Sequence, residues 1–234
     1  LSGVADEGGW WPDFTSNEDA LDVLTMAIEA SGHRAGEDVW ISLDIAANEL
    51  GDASGYTLAL DDRRLSGGEM ADRIIEWCNR YPILSIEDPA GQDDWDSVAR
   101  VTAAVGNRVQ IIGDDVLVTN AARVERAAAG KVVNAALIKV NQVGTVTEAK
   151  AALDAAVAQG WGAIVSARSG ESEDVAIAHL STGWDAGQLK VGSFTRSERM
   201  AKWNEVLRIE EAMGADAVYA GASAFAAPIR EALA

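Results

Sequence analysis

Six short apolar runs in this chain each stop on a polar or charged residue, and that repetition constrains the fold more than any other feature. The runs close on Asp44, Glu87, Asp114, Lys139, Ser166 and Lys190, and helically spaced segments separate them. Strand-then-helix units require parallel strands joined by crossover helices. Parallel strands are covered on both faces, so they read as continuous apolar runs rather than as alternating ones. Polar residues collected at the carboxyl ends of successive strands mark the active face of a (βα) barrel. A doubly wound open sheet would instead gather its ligand at one switch point, and no GxGxxG follows the first run. The predicted fold class is therefore α/β, a TIM-like (βα) barrel with six units visible in a single domain over residues 1–234. A closed barrel of this kind has eight strands. An open arc would leave two sheet edges and apolar helix faces uncovered. Two strands are thus expected from elsewhere, either an upstream segment (the chain opens on Leu1 rather than Met) or another subunit.

Local signals place the remaining elements. Residues 1–14, LSGVADEGGWWPDF, read as a Gly- and Trp-rich loop, after which Thr15 or Ser16 caps a helix running to Ala30. A polar excursion over 49–65 contains a hairpin-like stretch, GYTLALDDRRL. Helices are predicted over 68–81, where Met70, Ile74 and Trp77 share a face and Pro82 ends the element, and over 94–105, 120–129, 145–159, 173–180 and 196–213.

Charge and cysteine content exclude several functions. The 37 acidic residues outnumber the 19 basic ones, and a net charge of −18 argues against nucleic acid or an anionic membrane as partner. No apolar run approaches the roughly 18 residues of a transmembrane span, and no basic-then-apolar signal segment opens the chain. Cys78 is the single cysteine, so no disulfide framework exists and a reducing, cytoplasmic location is expected. Its setting, IIEWCNRY, predicts a buried and inert thiol. With His33 and His179 as the only histidines, any metal here should be hard and oxygen-bound.

Asp44, Glu87 and Asp114 close three consecutive runs. Carboxylates converging in a barrel mouth repel one another unless a cation sits among them. Mg2+ suits them, because it takes carboxylate oxygens and stays free to bind substrate oxygens. Each acid taken alone also reads as a loop cap. Lys139 is costly to bury unless it faces a polar site. Beside a dication its neutral form is favoured, and it can then act as a general base. Lys139 and Lys190 can equally be salt bridges that neutralise the carboxylates. Arg168-Ser169-Gly170 offers a guanidinium, a hydroxyl and a permissive glycine to an anion, or is an ordinary strand-to-helix loop. Glu7, in ADEGG, is a candidate proton donor or part of a turn. Together these groups suit proton abstraction next to a carboxylate followed by loss of a leaving group, with a dication stabilising the charge that develops.

Several stretches extend this reading. ADEGG at 5–9, SLDIAANE at 42–49, SIEDPAGQDDW at 85–95, IIGDDVLVTN at 111–120, LIKVNQVGTVTEA at 137–149, GWGAIVSARSGESED at 160–174 and GQLKVGSFTRSERMAKWNEVLRIEE at 187–211 resemble enolase, in order and across nearly the whole chain. The resemblance implies Mg2+-dependent interconversion of 2-phosphoglycerate and phosphoenolpyruvate, a small phosphorylated carboxylic acid substrate. It implies Asp44, Glu87 and Asp114 as metal ligands, Lys139 as base, and Glu7 on the acid side. Arg168 and Ser169 would hold the phosphate and Lys190 the carboxylate end. Three departures accompany it. Ala167 stands where enolases carry histidine, Trp10 and Trp11 follow DEGG and would narrow or reshape the mouth, and the family's N-terminal domain and first two barrel strands are absent. The expected partner is an N-terminal enolase half or a second subunit, in a dimer. The departures also leave open a paralogue of the carboxyphosphoenolpyruvate synthase type, or a non-catalytic enolase-like binding subunit.

Overall fold

The computed structural model describes residues 3–52 and 54–234; Leu1 and Ser2 of the expected first loop, and Ala53 of the excursion, lie outside the described residues. A two-residue antiparallel pair, β1 (Gly3–Val4) and β2 (Trp10–Trp11), precedes helix α1 (Asn17–Ala30). Strand β3 (Ile41–Asp44) leads into a small antiparallel sheet of β4 (Gly51–Asp52), β5 (Gly55–Leu58) and β6 (Arg63–Leu65). Then follow α2 (Gly67–Arg80), β7 (Ile83–Glu87), α3 (Trp95–Val105), β8 (Gln110–Gly113), α4 (Ala121–Ala129) and β9 (Ala135–Ile138). The chain continues through the single turn α5 (Val140–Val143), α6 (Val146–Ala158), β10 (Gly162–Ser166), α7 (Ala176–Gly183), β11 (Gly187–Lys190), α8 (Ser197–Met213) and α9 (Ala227–Ala232).

Strands β3, β7, β8, β9, β10 and β11 form one sheet in that spatial order, every neighbouring pair parallel. The outermost strands of a flat six-stranded sheet stand roughly 24 Å apart, at about 4.8 Å per strand. Here Lys190 on β11 places its Nζ 2.7 Å from Asp44 Oδ2 on β3. The sheet is therefore curled into an incomplete barrel with its two edges facing one another. Among the described residues, no further strand pairs with the free edges of β3 and β11.

Helix faces follow from the apolar spacing. Met70, Ala71, Ile74, Trp77 and Cys78 of α2 are buried, as are Val98, Val101 and Val105 of α3 and Ala149, Ala152, Leu153 and Ala156 of α6. They pack against the outer face of the sheet, and each large aliphatic side chain contributes about 1.5–3 kcal/mol. Side-chain caps set the starts: Ser66 and Glu69 form a reciprocal capping box on α2, while Asp94, Asn120 and Thr145 cap α3, α4 and α6. Inside the arc, Ile112, Ala135, Leu137 and Ile164 make a second, smaller core. Below the mouth, Gln110 and Gln188 exchange two amide hydrogen bonds of 3.0 Å across the lumen.

Four local features differ from the sequence expectation. The first loop contains the β1–β2 pair, and the excursion is three-stranded. Helix α7 starts at Ala176 rather than 173, because the Asp174 carboxylate accepts the Ala176 N–H at 2.8 Å and holds the preceding residues in a loop. The α9 helix was not signalled by the sequence. Among the described residues, no helix is long and apolar enough to cross a membrane.

Candidate active site

Each parallel strand delivers one polar residue to the same rim. Asp44, Glu87, Ser166 and Lys190 are the last residues of β3, β7, β10 and β11, while Asp114 and Lys139 stand one residue beyond β8 and β9. A cavity of about 470 Å³ at this rim is lined by Glu7, Asp44, Asp114, Lys139, Arg168, Ser169 and Lys190, among others. Seven of the eight site residues expected from the sequence thus meet in one place. Glu87, the eighth, is 3% exposed and reaches the larger lumen cavity beneath.

The lysines hold the carboxylates. Lys190 Nζ lies 2.7 Å from both Asp44 Oδ2 and Glu87 Oε2. Lys139 Nζ is hydrogen-bonded to Asp114 Oδ2. Burial, then the neighbouring Asp44 charge, push the Glu87 carboxyl up to about 8. Burial works against the Lys190 ammonium, yet Glu87 and Asp44 outweigh it and raise its pKa. Both lysines thus pair with the carboxylates, as the salt-bridge alternative expected. Oxygens of Glu87, Asp88 and Asp114 come within 4.8 Å of one another, an all-carboxylate donor set suited to a hard divalent ion.

Asp88 was not singled out in the sequence, although it sits in the EDP stretch. Its backbone is left-handed (φ 43°), and its two oxygens accept the N–H groups of Asp114 and Asp115, both at 3.0 Å. These bonds make Asp88 a clamp on the β8 end, and each oxygen keeps a lone pair, so Asp88 stands with Glu87 and Asp114 in the carboxylate cluster, where the sequence predicts Asp44. Burial raises its carboxyl to about 7. Thr119 and Gln142 also went unsignalled. Thr119 Oγ1 accepts the Lys139 N–H at 2.9 Å and donates to Gln142 Oε1 at 2.7 Å, and Gln142 Nε2 reaches Asp114 Oδ1 at 3.3 Å. Val118 and Thr119 are β-branched residues at φ 45° and 52°, a conformation costing about 1–3 kcal/mol each. These bonds hold the strained turn against Lys139 and Asp114.

The departures noted in the sequence have clear locations. Ala167 is 7% exposed and lines the cavity next to Arg168. Trp10 and Trp11 are 67% and 62% exposed and line a separate groove with Pro12, Phe14 and Leu60, so they do not narrow the mouth. Of the two histidines, His179 pairs with Glu205 at 3.0 Å and neither lines the cavity.

Comparison with known proteins agrees with this geometry. The family described as "Enolase, C-terminal TIM barrel domain" matches residues 1–228. A protein named "Enolase" from Rubrobacter xylanophilus is 45% identical over 229 residues, covering 98% of this chain and 53% of the relative. "Enolase 1" of Desulfitobacterium hafniense is 47% identical over 227 residues, covering 96% of this chain and 52% of the relative. The chain spans about half the length of these curated relatives.

Proposed function

Because the chain belongs to the enolase family, in its C-terminal TIM barrel domain, we propose that it is the barrel portion of a Mg2+-dependent hydro-lyase. It interconverts 2-phosphoglycerate and phosphoenolpyruvate, a cytoplasmic glycolytic step, together with an N-terminal half. One observation carries the reading: Lys139, the carboxylates of Asp44 and Asp114, Arg168-Ser169 and a separate glutamate, Glu7, line one cavity at the carboxyl ends of the parallel strands, with Glu87 buried beneath it.

Asp44, Glu87 and Asp114 would hold the ion, with Asp88 fixing the backbone beneath Asp114. The ion, when bound, supplies Lewis-acid stabilisation of the negative charge that grows on the substrate carboxylate. Lys139, whose Nζ is hydrogen-bonded to Asp114 Oδ2, would take the proton from the carbon next to the carboxylate. The neighbouring carbon–oxygen bond then breaks, and Glu7 belongs to the acid side that lets the hydroxyl leave as water. Arg168 and Ser169 hold the phosphate, and Lys190 the carboxylate end. The relatives matched here carry the enolase name, which gives the other two readings no added weight.

The open arc supports the proposal of a partner half. Exposed apolar residues lie on α1 (Val23, Leu24, Met26), which precedes the β3 edge, and in Phe194, Val218 and Tyr219, which follow the β11 edge. The N-terminal half, on the same polypeptide or a second subunit of a dimer, would supply the two strands that close the barrel and cover these residues. The test is native mass with a Mg2+-dependent 2-phosphoglycerate assay on the assembly as purified. Turnover lost in Lys139→Ala but kept in the surface variant Lys150→Ala supports the proposal. No turnover from a complete assembly in excess Mg2+ would end it.

A further inference from the structure

Helix α8 buries only two residues along its length, and both are cations, Arg199 and Lys202. A helix docked by charge rather than by apolar packing needs a reason, since an unpaired buried cation is costly. The acceptors supply it. Arg199 is fully buried; its Nη1 donates to Arg168 O at 2.7 Å and Val191 O at 2.9 Å, and its Nη2 to Ser169 O at 2.7 Å. Nη2 also lies 3.5 Å from Asp6 O, at the limit of a hydrogen bond. Those carbonyls belong to three segments: the anion-cradle loop after β10, the end of β11, and the loop that carries Glu7. Lys202 Nζ donates to Ser172 O at 2.5 Å, and the nearby Glu171 carboxylate accepts the N–H groups of Arg168 and Ser172. One helix face therefore shapes both ends of the cradle.

The consequence lies in the peptide groups. A planar trans peptide points its N–H opposite to its C=O. With the carbonyls of Arg168 and Ser169 turned to the guanidinium, the N–H groups of Ser169 and Gly170 face away from it. Among the described residues, neither has an acceptor within the protein. Two adjacent N–H groups with no acceptor in the protein, beside the Arg168 side chain, are free to donate to an anion. Gly192 shows how tightly the hub is built. At φ 120°, a Cβ added there would meet Glu7 O at 2.6 Å and Arg199 Cδ at 2.9 Å.

We propose that Arg199 is a positioning residue: it presents the Ser169 and Gly170 N–H groups to an anion and ties that cradle to the Glu7 loop, so that the two walls of the site hold one arrangement. The proposal rests on the reading of Arg168-Ser169 as an anion site, but its second half does not depend on catalysis. Lysine cannot replace this arginine, because an ammonium lacks the planar fork that reaches carbonyls on several segments.

Arg199→Lys in the full chain, with any partner that copurifies, is titrated calorimetrically with inorganic phosphate in excess Mg2+, and separately with Mg2+ alone. Backbone amide exchange is followed over 5–9 and 168–172. The expected result is phosphate binding weakened at least tenfold, Mg2+ binding within about twofold of wild type, and faster exchange in both segments together. A folded variant with unchanged phosphate affinity overturns the proposal, as does faster exchange in one segment alone. Should Arg199→Lys fail to fold, Gly192→Ala presses on the same hub and is expected to give the same pattern. Wild-type protein that takes up no phosphate would instead refute the anion-site reading, and the exchange result would still decide the coupling of the two walls.

Discussion

Replacing Lys190 by methionine separates the salt-bridge role of this residue from the cation role of its partners. The ammonium is the shared partner of Asp44 and Glu87, 2.7 Å from each. Removing one partner of a buried ion pair costs about 3–5 kcal/mol, because the remaining charge is left without compensation. The Lys190 side chain is 28% exposed and that of Asp44 41%, so solvent screening lowers the expectation to about 2–3 kcal/mol. For a chain of this size that is a fall of about 5–10 °C in Tm. The deficit should depend on pH. The folded-state pKa of Glu87 is raised to about 8, so its contribution to stability is present in acid and is lost as pH rises through that value. Without the ammonium the loss is steeper, and the variant should trail wild type more at about pH 8.5 than at about pH 5.5. Mg2+ should then recover much of the difference, since a ligand at about 100 times its Kd adds about 2.7 kcal/mol and the freed carboxylates bind it without displacing a lysine. Thermal melts of both proteins at the two pH values, with and without Mg2+, test all of this. A deficit that ignores both pH and Mg2+ would refute the shared-site reasoning.

Other outcomes follow from single contacts. Asp88→Asn turns an amide donor toward one of the two N–H groups that the carboxylate now accepts. It should cost about 1–3 kcal/mol in a chemical melt and weaken Mg2+ binding, whereas unchanged Mg2+ affinity would show that the clamp does not place Asp114. Burial pushes the Cys78 thiol up to about 11, so a thiol reagent near pH 8 should leave it unmodified until the chain is unfolded; rapid labelling of native protein would contradict its burial on the inner face of α2. Ala167→His puts an imidazole on the cavity wall beside Arg168 and should raise 2-phosphoglycerate turnover in the complete assembly. A fall with intact Mg2+ binding would mean that the methyl group makes room for a larger substrate.

The rim of the site was legible because burial leaves a clear trace in sequence. A strand covered on both faces reads as an apolar run, so a charge at its end, such as Lys139 after AALI, stands out and falls at the carboxyl edge. The supports behind the rim leave no such trace. Asp88, Thr119 and Arg199 act by offering or receiving main-chain groups, and no pattern of side-chain types announces which carbonyl or N–H a residue will meet after folding. Arg199 and Lys202 mislead further, because two cations three residues apart on a charged helix read as a solvated face, yet they are 0% and 1% exposed.

That difference explains how the arc keeps an ordered mouth while its edges are unpaired. Closure of a barrel normally fixes the relative positions of its first and last strands through the hydrogen-bond ladder. Here β3 and β11 share no ladder, and Lys190 spans the gap by charge, with Asp44 on one edge strand and Glu87 on the next. The Gln110–Gln188 pair does the same lower in the lumen, between β8 and β11. Side chains can carry this load only where they are buried enough to feel a low dielectric, and Glu87 is. An ion that drew Asp44 and Glu87 away from Lys190 would therefore loosen the cross-lumen tie at the moment it organised the site. Two strands inserted between β3 and β11 would supply a ladder there, and barrel closure would then be expected to favour cation binding.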